Sequence, residues 1–350
     1  MTQPDSPSLG RFADLPRVRH GHLPTAIEEM PNLAKALMPE GGPRLLVKRD
    51  DCTGAGFGGN KVRQLEFYLG AAVEAGADTV LITSAVQSNF MRTCAAMCAR
   101  LGLKAHLQME ERVAKNNPLY RSNGNVLLDK IVGAELHTFP EGEDEAAADR
   151  ALEDLADRVR TQGGRPYVIH LSPAYPPVGA VGYVECAREL LAQLAERGET
   201  VDRIFVGSGS SATHTGLLWG LRALGSEIRV TGVCVRRDAT QQHARVTANL
   251  ANLSAHLAHQ PEFSDDDVET TDISFGTGYG RMNEQTREAI ALAGRCEGLF
   301  VDPVYTGKVL AGMIAILRAG EMAEGETALF LHTGGAPALF AYGDEVLEEA

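Results

Sequence analysis

The 350-residue chain is 44% hydrophobic and 23% charged, which is ordinary for a soluble globular enzyme with one large domain or two. Its net charge of −13 argues against a nucleic-acid or acidic-membrane partner, and no apolar run is long enough to cross a bilayer. Six dispersed cysteines do not form a disulfide framework, and residues 1–7 lack the apolar segment of a secretion signal. We therefore expect a cytoplasmic protein.

Hydrophobic patterns alternate between strand and helix along the chain. The predicted strands cover residues 44–49, 79–83, 104–109, 134–138, 167–170, 201–206, 229–235 and 328–332. The predicted helices cover residues 33–37, 62–76, 90–101, 124–133, 144–162, 181–198, 217–224, 244–257, 286–297 and 309–319. This alternation predicts parallel α/β layers. Because no linker divides the chain, a second domain is expected to be inserted within the first.

Lys61 lies where a glycine-rich loop, residues 50–59, meets the start of a predicted helix. Leu65, Leu69 and Ala72 recur at helical spacing after it. A helix N-terminus carries partial positive charge, which disfavours an ammonium, so we expect a lowered pKa for Lys61. A lysine with a lowered pKa can form a Schiff base. The alternative is a solvated lysine on a surface helix.

A run rich in glycine and hydroxyl residues covers positions 207–216, directly after a predicted strand. Its backbone N–H groups, with the hydroxyls of Ser210, Ser211 and Thr213, predict a phosphate-binding turn. The run lacks both the lysine of a P-loop and the spacing of a dinucleotide fingerprint. A tight strand-to-helix turn without a ligand is the alternative.

Further polar segments lie at a predicted helix start and in two bends. Ser88 and Asn89 follow a strand, where they either cap the next helix or leave its N–H groups free for a substrate carboxylate. Tyr279 and Tyr305 each lie in a glycine-containing bend, where the side chain either packs or supplies an acid–base hydroxyl. Residues 332–335 end the last strand, where ligands collect in α/β sheets.

Together these segments suit pyridoxal phosphate. The aldehyde of this cofactor needs a lysine, its phosphate a helix N-terminus, and its ring a polar partner at the pyridine nitrogen. Among the other lysines only Lys308 has a comparable glycine context, and no hydroxyl-rich run adjoins it. The sequence therefore predicts a pyridoxal 5'-phosphate enzyme that uses Lys61.

Several motifs occur together in this chain. They are KRDD at 48–51, GGNK at 58–61, QSN at 87–89, DPVYTGK at 302–308 and HTGGAPAL at 332–339. With these motifs, from about residue 20 to 343, the chain resembles the pyridoxal-phosphate-dependent D-cysteine desulfhydrase and 1-aminocyclopropane-1-carboxylate deaminase family. The resemblance implies an α/β, tryptophan-synthase-β-like fold (fold type II) with two α/β domains and mainly parallel sheets. It implies a large cofactor domain, residues 1–62 and 182–350, and a smaller inserted domain, residues 63–181.

The resemblance also implies roles for individual residues and a homodimeric assembly. Lys61 would hold the cofactor, and Asn89 would lie beside its ring hydroxyl. The other implied cofactor contacts are Ser210, Ser211, Ala212 and Thr213 at the phosphate, and Thr306 and Thr333 at the ring. The implied substrate contacts are Ser88 near the carboxylate, with Tyr279 and Tyr305 facing the substrate.

Two positions separate the branches of this family. The deaminase branch is expected to have Glu and Leu where this chain has Thr306 and Thr333, so both positions agree with the desulfhydrases. A neutral hydroxyl at the pyridine nitrogen leaves the ring largely unprotonated, a weaker electron sink that suits a good β-leaving group. Three features depart from the family: Gln64 replaces a lysine near the phosphate, Phe90 replaces a histidine, and residues 170–175 replace a glycine-rich stretch.

The predicted activity is that of a deaminating carbon–sulfur lyase. In this β-elimination Lys61 removes the α-proton, and D-cysteine becomes pyruvate, ammonia and sulfide. L-Cysteate sulfo-lyase, which releases sulfite, is the first alternative, because the altered residues 170–175 lie where substrate is read. The further alternatives are a 1-aminocyclopropane-1-carboxylate deaminase and a cofactor-binding protein without turnover, which the Gln64 departure would support.

Overall fold

A computed structural model describes residues 9–115, 117–172 and 174–347. The polar residues 1–7 and Pro173, within the altered 170–175 segment, lie outside this described part. The strands are β1 Ile27–Glu29, β2 Arg44–Lys48, β3 Thr79–Ala85, β4 Lys104–Glu110, β5 Glu135–Phe139, β6 Pro166–Ile169, β7 Arg203–Ser208, β8 Arg229–Cys234, β9 Glu269–Thr271 and β10 Thr327–Leu331. The α-helices are α1 Pro31–Leu37, α2 Asn60–Glu74, α3 Asn89–Leu101, α4 Pro118–Ser122, α5 Asn125–Ile131, α6 Glu145–Thr161, α7 Val181–Arg197, α8 Ala212–Ala223, α9 Ala239–Leu257, α10 Glu284–Leu292, α11 Thr306–Arg318 and α12 Gly343–Leu347.

The strands form two sheets. The six-stranded sheet has the order β1-β2-β10-β7-β8-β9, and within it only the β1–β2 pair is antiparallel. The four-stranded sheet, β5-β4-β3-β6, is parallel throughout and comes from one continuous part of the chain, residues 79–169. These mainly parallel sheets confirm the predicted fold class. The domain boundaries at 62/63 and 181/182 stay a prediction.

Helices cover both faces of the six-stranded sheet because its strands are apolar on both sides. Ile204 packs in a cluster with α7, α8 and α9, whereas its neighbour Phe205 packs on the opposite face with α1, α10 and α11. Adjacent strand residues point to opposite faces, and a strand buried on both faces therefore needs a continuous apolar run. No helix of the described chain is both long and apolar enough to span a membrane.

The element boundaries differ from the predicted ones mainly at helix starts. Helix α8 begins at Ala212, five residues before the predicted start, so part of the hydroxyl-rich run forms its first turn. Helix α9 begins at Ala239 because the Asp238 side chain caps it, accepting a hydrogen bond from the Gln241 N–H. The predicted loop 110–123 contains α4, which Asn117 caps. The three-residue strands β1 and β9 were not predicted.

Candidate active site

A cleft of about 830 Å³, which includes its solvent-open mouth, lies at the carboxyl ends of strands from both sheets. The loops after β2, β3, β4, β7 and β10 all contribute to it, as expected for ligand sites in parallel sheets. The predicted site residues that line the cleft are Lys61, Ser88, Asn89, Ser210, Ser211, Thr213, Tyr279, Tyr305 and Thr333. The structure therefore brings together all the predicted site residues except Ala212 and Thr306.

Lys61 lies in the first turn of α2 and faces this cleft. Its Nζ donates to Gln64 Oε1 at 3.1 Å and lies 5.1 Å from the centre of the Phe90 ring. Burial lowers the pKa of Lys61 to about 8. The direction of this shift agrees with the prediction, and burial is its cause. A larger neutral fraction makes this amine a better nucleophile and base.

Two glycine loops touch backbone to backbone and fix the start of α2. The Asn60 N–H donates to the Thr333 carbonyl oxygen at 3.0 Å. Gly59 and Gly334 both have positive φ, and a Cβ on Gly334 would lie 2.8 Å from the Gly59 Cα. Only glycine permits both this backbone conformation and this close approach. This contact places Lys61 and Thr333 close together in the cleft lining, at the point where the two loops meet.

The start of α8 has the properties of an anion site. Its N-cap, Ser211, has φ of 74° and makes no side-chain capping hydrogen bond, so no cap occupies the first N–H groups. Thr213 Oγ1 accepts from Asn60 Nδ2 and from Gln64 Nε2, each at 2.8 Å, and Ser211 Oγ accepts from Asn249 Nδ2. Uncapped N–H groups with hydroxyls beside them suit a phosphate.

Two arginines hold the carbonyl groups of the loop that precedes α8. Arg237 Nη1 donates to the Gly209 oxygen at 3.1 Å, and Arg245 Nε donates to the Ser210 oxygen at 3.3 Å. The peptide group is planar and trans, so the following N–H groups, on Ser210 and Ser211, point away from the guanidinium groups. Arg237 and the cleft-lining Arg245 thus orient this loop through its carbonyl oxygens.

Three arginines surround one partly buried carboxylate, Glu145 at the start of α6. The three donors to it are Arg236, Arg237 and Arg245. Burial, followed by repulsion from Arg245 and Arg236, lowers the pKa of Arg237 to about 10. Three guanidinium groups face two carboxylates, Glu145 and, at 3.6 Å from Arg236, Glu143, so one positive charge is in excess. Sequence reasoning missed this cluster, and the only signal was the Arg236–Arg237 pair at the carboxyl end of β8. The excess suits a phosphate dianion.

Ser88 and Asn89 occupy the start of α3. The Ser88 Oγ accepts hydrogen bonds from the N–H groups of Phe90 and Met91, both at 3.2 Å, so it caps the helix. Of the two alternatives for this segment, the structure shows the helix cap, and the Ser88 O–H can still donate to a substrate carboxylate. The Asn89 Oδ1 accepts from Arg92 Nη1 at 3.3 Å, which leaves its amide nitrogen to serve as the donor.

Tyr279 and Tyr305 form a hydrogen-bonded hydroxyl pair. Their oxygens are 2.8 Å apart, and their rings meet edge to face with centroids 5.9 Å apart. Burial raises the pKa of Tyr279, and burial with the neighbouring Tyr279 raises the pKa of Tyr305. Both hydroxyls are therefore protonated at neutral pH: one donates to the other, and the second can donate to a substrate. Arg112 lines the same part of the cleft.

Two predicted site residues lie outside the cleft lining. Thr306 is fully buried, and its Oγ1 donates to Asp302 Oδ1 at 2.8 Å while it accepts from the Asp302 N–H at 2.7 Å. Of the two threonines predicted at the ring, only Thr333 lines the cleft. Ala212 lines an adjoining cavity, where the rings of His170 and Tyr175 stack 3.7 Å apart.

Comparisons with known proteins agree with this geometry. Residues 18–334 match the family described as pyridoxal-phosphate dependent enzyme. A crystal structure of an ACC deaminase homologue is 34% identical, covers 99% of each chain and has a TM-score of 0.84. An O-ureido-L-serine synthase is 20% identical over 97% of this chain and 96% of its own, and its TM-score of 0.63 shows a shared fold. The predicted cofactor is confirmed at family level, and the chain belongs to the pyridoxal-phosphate-dependent enzyme family.

Proposed function

We propose that this enzyme catalyses a deaminating β-elimination that expels a sulfur group from a small amino acid, in the first place sulfide from D-cysteine. The observation that carries the proposal is the shared cleft, which combines a lysine of lowered pKa with a pair of protonated tyrosine hydroxyls. A base and a proton donor on one cleft are the two groups that such an elimination needs.

Five of the residues that line the cleft have assigned tasks in this reaction. Pyridoxal phosphate, when bound, supplies the electron withdrawal that weakens the substrate's α C–H bond. The Lys61 amine removes the α-proton, and the Ser88 hydroxyl donates to the substrate carboxylate. The Tyr279–Tyr305 pair donates a proton to the departing sulfur. Thr333 would place a neutral hydroxyl at the pyridine nitrogen. This leaves the ring a weaker electron sink, which is sufficient for a good leaving group.

L-Cysteate, which would release sulfite, is the second candidate substrate. Arg112 and Arg236 line the cleft beside the tyrosine pair, and both lower the pKa of Tyr279 against the effect of burial. A sulfonate needs cationic donors at this end of the cleft. Arg112 is paired with Glu110, however, through hydrogen bonds of 2.8 and 2.9 Å, so its charge is already balanced. Arg236 belongs to the Glu145 cluster, whose excess charge is the one that suits the cofactor phosphate. Sulfide release therefore remains the first proposal.

A product assay tests the proposed reaction. Purified enzyme supplied with pyridoxal phosphate is incubated with D-cysteine, L-cysteine, L-cysteate or 1-aminocyclopropane-1-carboxylate. We expect pyruvate and sulfide from D-cysteine. Sulfite from L-cysteate would instead support the second candidate, and 2-oxobutanoate would identify a cyclopropane deaminase. If no oxo acid forms from a wider panel of D- and L-amino acids, the proposal of an elimination is wrong and a binding protein without turnover remains.

The assembly and location of the enzyme are further proposals. The family resemblance suggests a homodimer, and the six free cysteines suggest a reducing compartment such as the cytoplasm. Light scattering of the holoenzyme would give the mass of the assembly. A mass equal to one chain would contradict the proposed dimer.

Arg245→Gln is expected to weaken pyridoxal phosphate binding by about tenfold or more. The change removes a charge that orients the loop before α8, and a hydrogen bond to a charged group contributes about 1.5–3 kcal/mol, with 1.4 kcal/mol per tenfold in affinity. Arg222→Gln is the matched control, because Arg222 also binds a carboxylate and backbone carbonyls but lies away from the cleft. Spectroscopic cofactor titration measures both. Equal affinities in the two variants would contradict this role.

A further inference from the structure

Three side chains with metal-binding atoms lie on one face of the four-stranded sheet. Strands β4 and β5 pair in parallel, with His106 opposite Glu135 and Gln108 opposite His137. Alternate residues of a strand share a face, so Glu135 and His137 point to the same side, and so does His106. The pairing register therefore brings the imidazole of His106 next to Glu135 and His137, which lie about 30 residues later in the chain.

The distances within this cluster are those of a compact metal site. His137 Nε2 lies 3.2 Å from His106 Nδ1 and 3.6 Å from Glu135 Oε1. One ligand atom from each of the three residues lies within 4.8 Å of the others. Two nitrogens on a tetrahedral zinc ion, each at about 2.0–2.1 Å, are about 3.3 Å apart. The two ring nitrogens, which now share a hydrogen bond, therefore already lie at the separation that a shared ion requires.

The chemistry of the cluster selects the kind of ion. Imidazole nitrogens prefer zinc and its transition-metal neighbours over calcium and magnesium, which prefer oxygen ligands. A neutral imidazole has one ring nitrogen with a lone pair that can bind a metal. The charge of Arg158 on α6 also acts on this cluster, but the Arg158 side chain is exposed to solvent, which screens its repulsion of a bound cation.

We propose that His106, Glu135 and His137 bind a divalent transition-metal ion, with zinc as the representative ion and water in the remaining position. The ion would join β5, the edge strand of its sheet, to β4. His106 lies near the amino end of β4, whereas Glu110 and Arg112 at the other end adjoin the active-site cleft. The site is thus separate from the proposed elimination, and its role is to stabilise the sheet edge.

Metal titration of the tag-free, full-length holoenzyme tests the proposal. After treatment with a chelator, the protein is titrated calorimetrically with zinc chloride, and cobalt(II) absorption reports the ligand geometry. We expect one equivalent of zinc to bind and to raise the midpoint of thermal unfolding, because an ion that binds only the folded chain stabilises it. His137→Ala is expected to weaken zinc binding at least about tenfold and to abolish the thermal shift. Pyruvate formation is expected to be unchanged.

Two control variants separate binding at this cluster from zinc binding elsewhere on the chain. His243→Ala removes a histidine that also lies beside a carboxylate, Asp265 at 3.5 Å, and it is expected to leave zinc affinity unchanged. Glu135→Gln keeps the shape of the side chain but removes the charge, so it tests the site even if His137→Ala unfolds. Zinc affinity that is the same in Glu135→Gln, His137→Ala and the parent protein would overturn the proposal. Zinc binding that is lost only in Cys52→Ser, a change at an exposed cysteine, would also overturn it.

Discussion

Lys61→Ala is expected to abolish turnover and to leave pyridoxal phosphate without a covalent bond to the protein. The amine of Lys61 faces the cleft, and burial lowers its pKa to about 8, so it is the group placed to bind the aldehyde and to move the α-proton. Loss of a positioned base alone lowers rates by about 10²–10⁴-fold, and loss of the covalent link adds to this. Borohydride reduction followed by peptide mass analysis would identify the linked lysine.

Lys308 provides the control for this experiment, because a lowered pKa does not distinguish the two lysines. Burial also lowers the pKa of Lys308 to about 8. Its Nζ, however, donates to the carbonyl oxygens of Phe275 and Gly278 at 2.7 and 2.8 Å, and it does not line the cleft. We expect Lys308→Met to destabilise the loop that bears Tyr279 but to keep the reducible link. A link that survives Lys61→Ala, or that is lost only with Lys308→Met, would contradict the assignment.

The pKa of Lys61 also predicts how cofactor attachment depends on pH. The neutral amine attacks the aldehyde, and its fraction rises as the pH rises through about 8. The rate of attachment to the cofactor-free enzyme is therefore expected to increase from pH 7 to pH 9. Stopped-flow absorbance would follow this rate. A rate that stays flat over this interval would indicate that another step limits attachment.

Most of the fold could be predicted from local patterns in the sequence. Strands such as β3 and β7 are short, apolar on both faces and bounded by glycine or polar turns, so both their type and their parallel pairing follow from the sequence. The start of α8 did not follow, because serine and threonine favour turns in isolation. Here a tertiary contact decides: the side chains of Asn60 and Gln64 hold the Thr213 hydroxyl in the first helical turn.

The active site was predictable where chemistry lies in one continuous segment, as at the Lys61 loop and the turn at 207–213. It was not predictable where residues distant in sequence converge. Glu145 meets its three arginines only because the loop after β8 and helix α9 approach α6, and single arginines carry no local pattern. The cause of the Lys61 pKa was missed for the same reason, since desolvation depends on side chains such as Phe90 that other segments supply.

Asp50→Ala is expected to destabilise the protein by about 3–5 kcal/mol, because Glu189 alone is then left to balance the buried charges of Arg63 and Lys48, and the buried Tyr183 hydroxyl loses its acceptor. Asp50 is fully buried and accepts two hydrogen bonds from Arg63, at 2.8 and 2.9 Å, and further ones from Tyr183 at 2.6 Å and Thr25 at 2.8 Å. Arg63 lies on α2, two residues after Lys61. The change is therefore also expected to loosen the start of this helix and to weaken cofactor binding.

Asp157→Ala supplies the comparison at the surface. Asp157 pairs with Arg160 at 2.6 Å, but its side chain is 71% exposed, and exposed pairs contribute only about 0–1 kcal/mol. Urea unfolding of the two variants and the parent protein would give the difference in the free energy of unfolding. A loss in Asp50→Ala no larger than that in Asp157→Ala would show that the buried network does not stabilise the fold.

The same network predicts a direction for the pH dependence of stability. Burial alone would raise the pKa of Asp50, but the guanidinium of Arg63 lowers it to about 2 from the usual 3.8. A carboxyl group with a depressed pKa stabilises the folded state above its unfolded value, and that contribution disappears as the pH falls towards the folded value. The stability difference between the parent protein and Asp50→Ala is therefore expected to be largest above about pH 4 and to shrink between pH 4 and pH 2. A difference that grows on acidification would contradict the ionised Asp50–Arg63 pair.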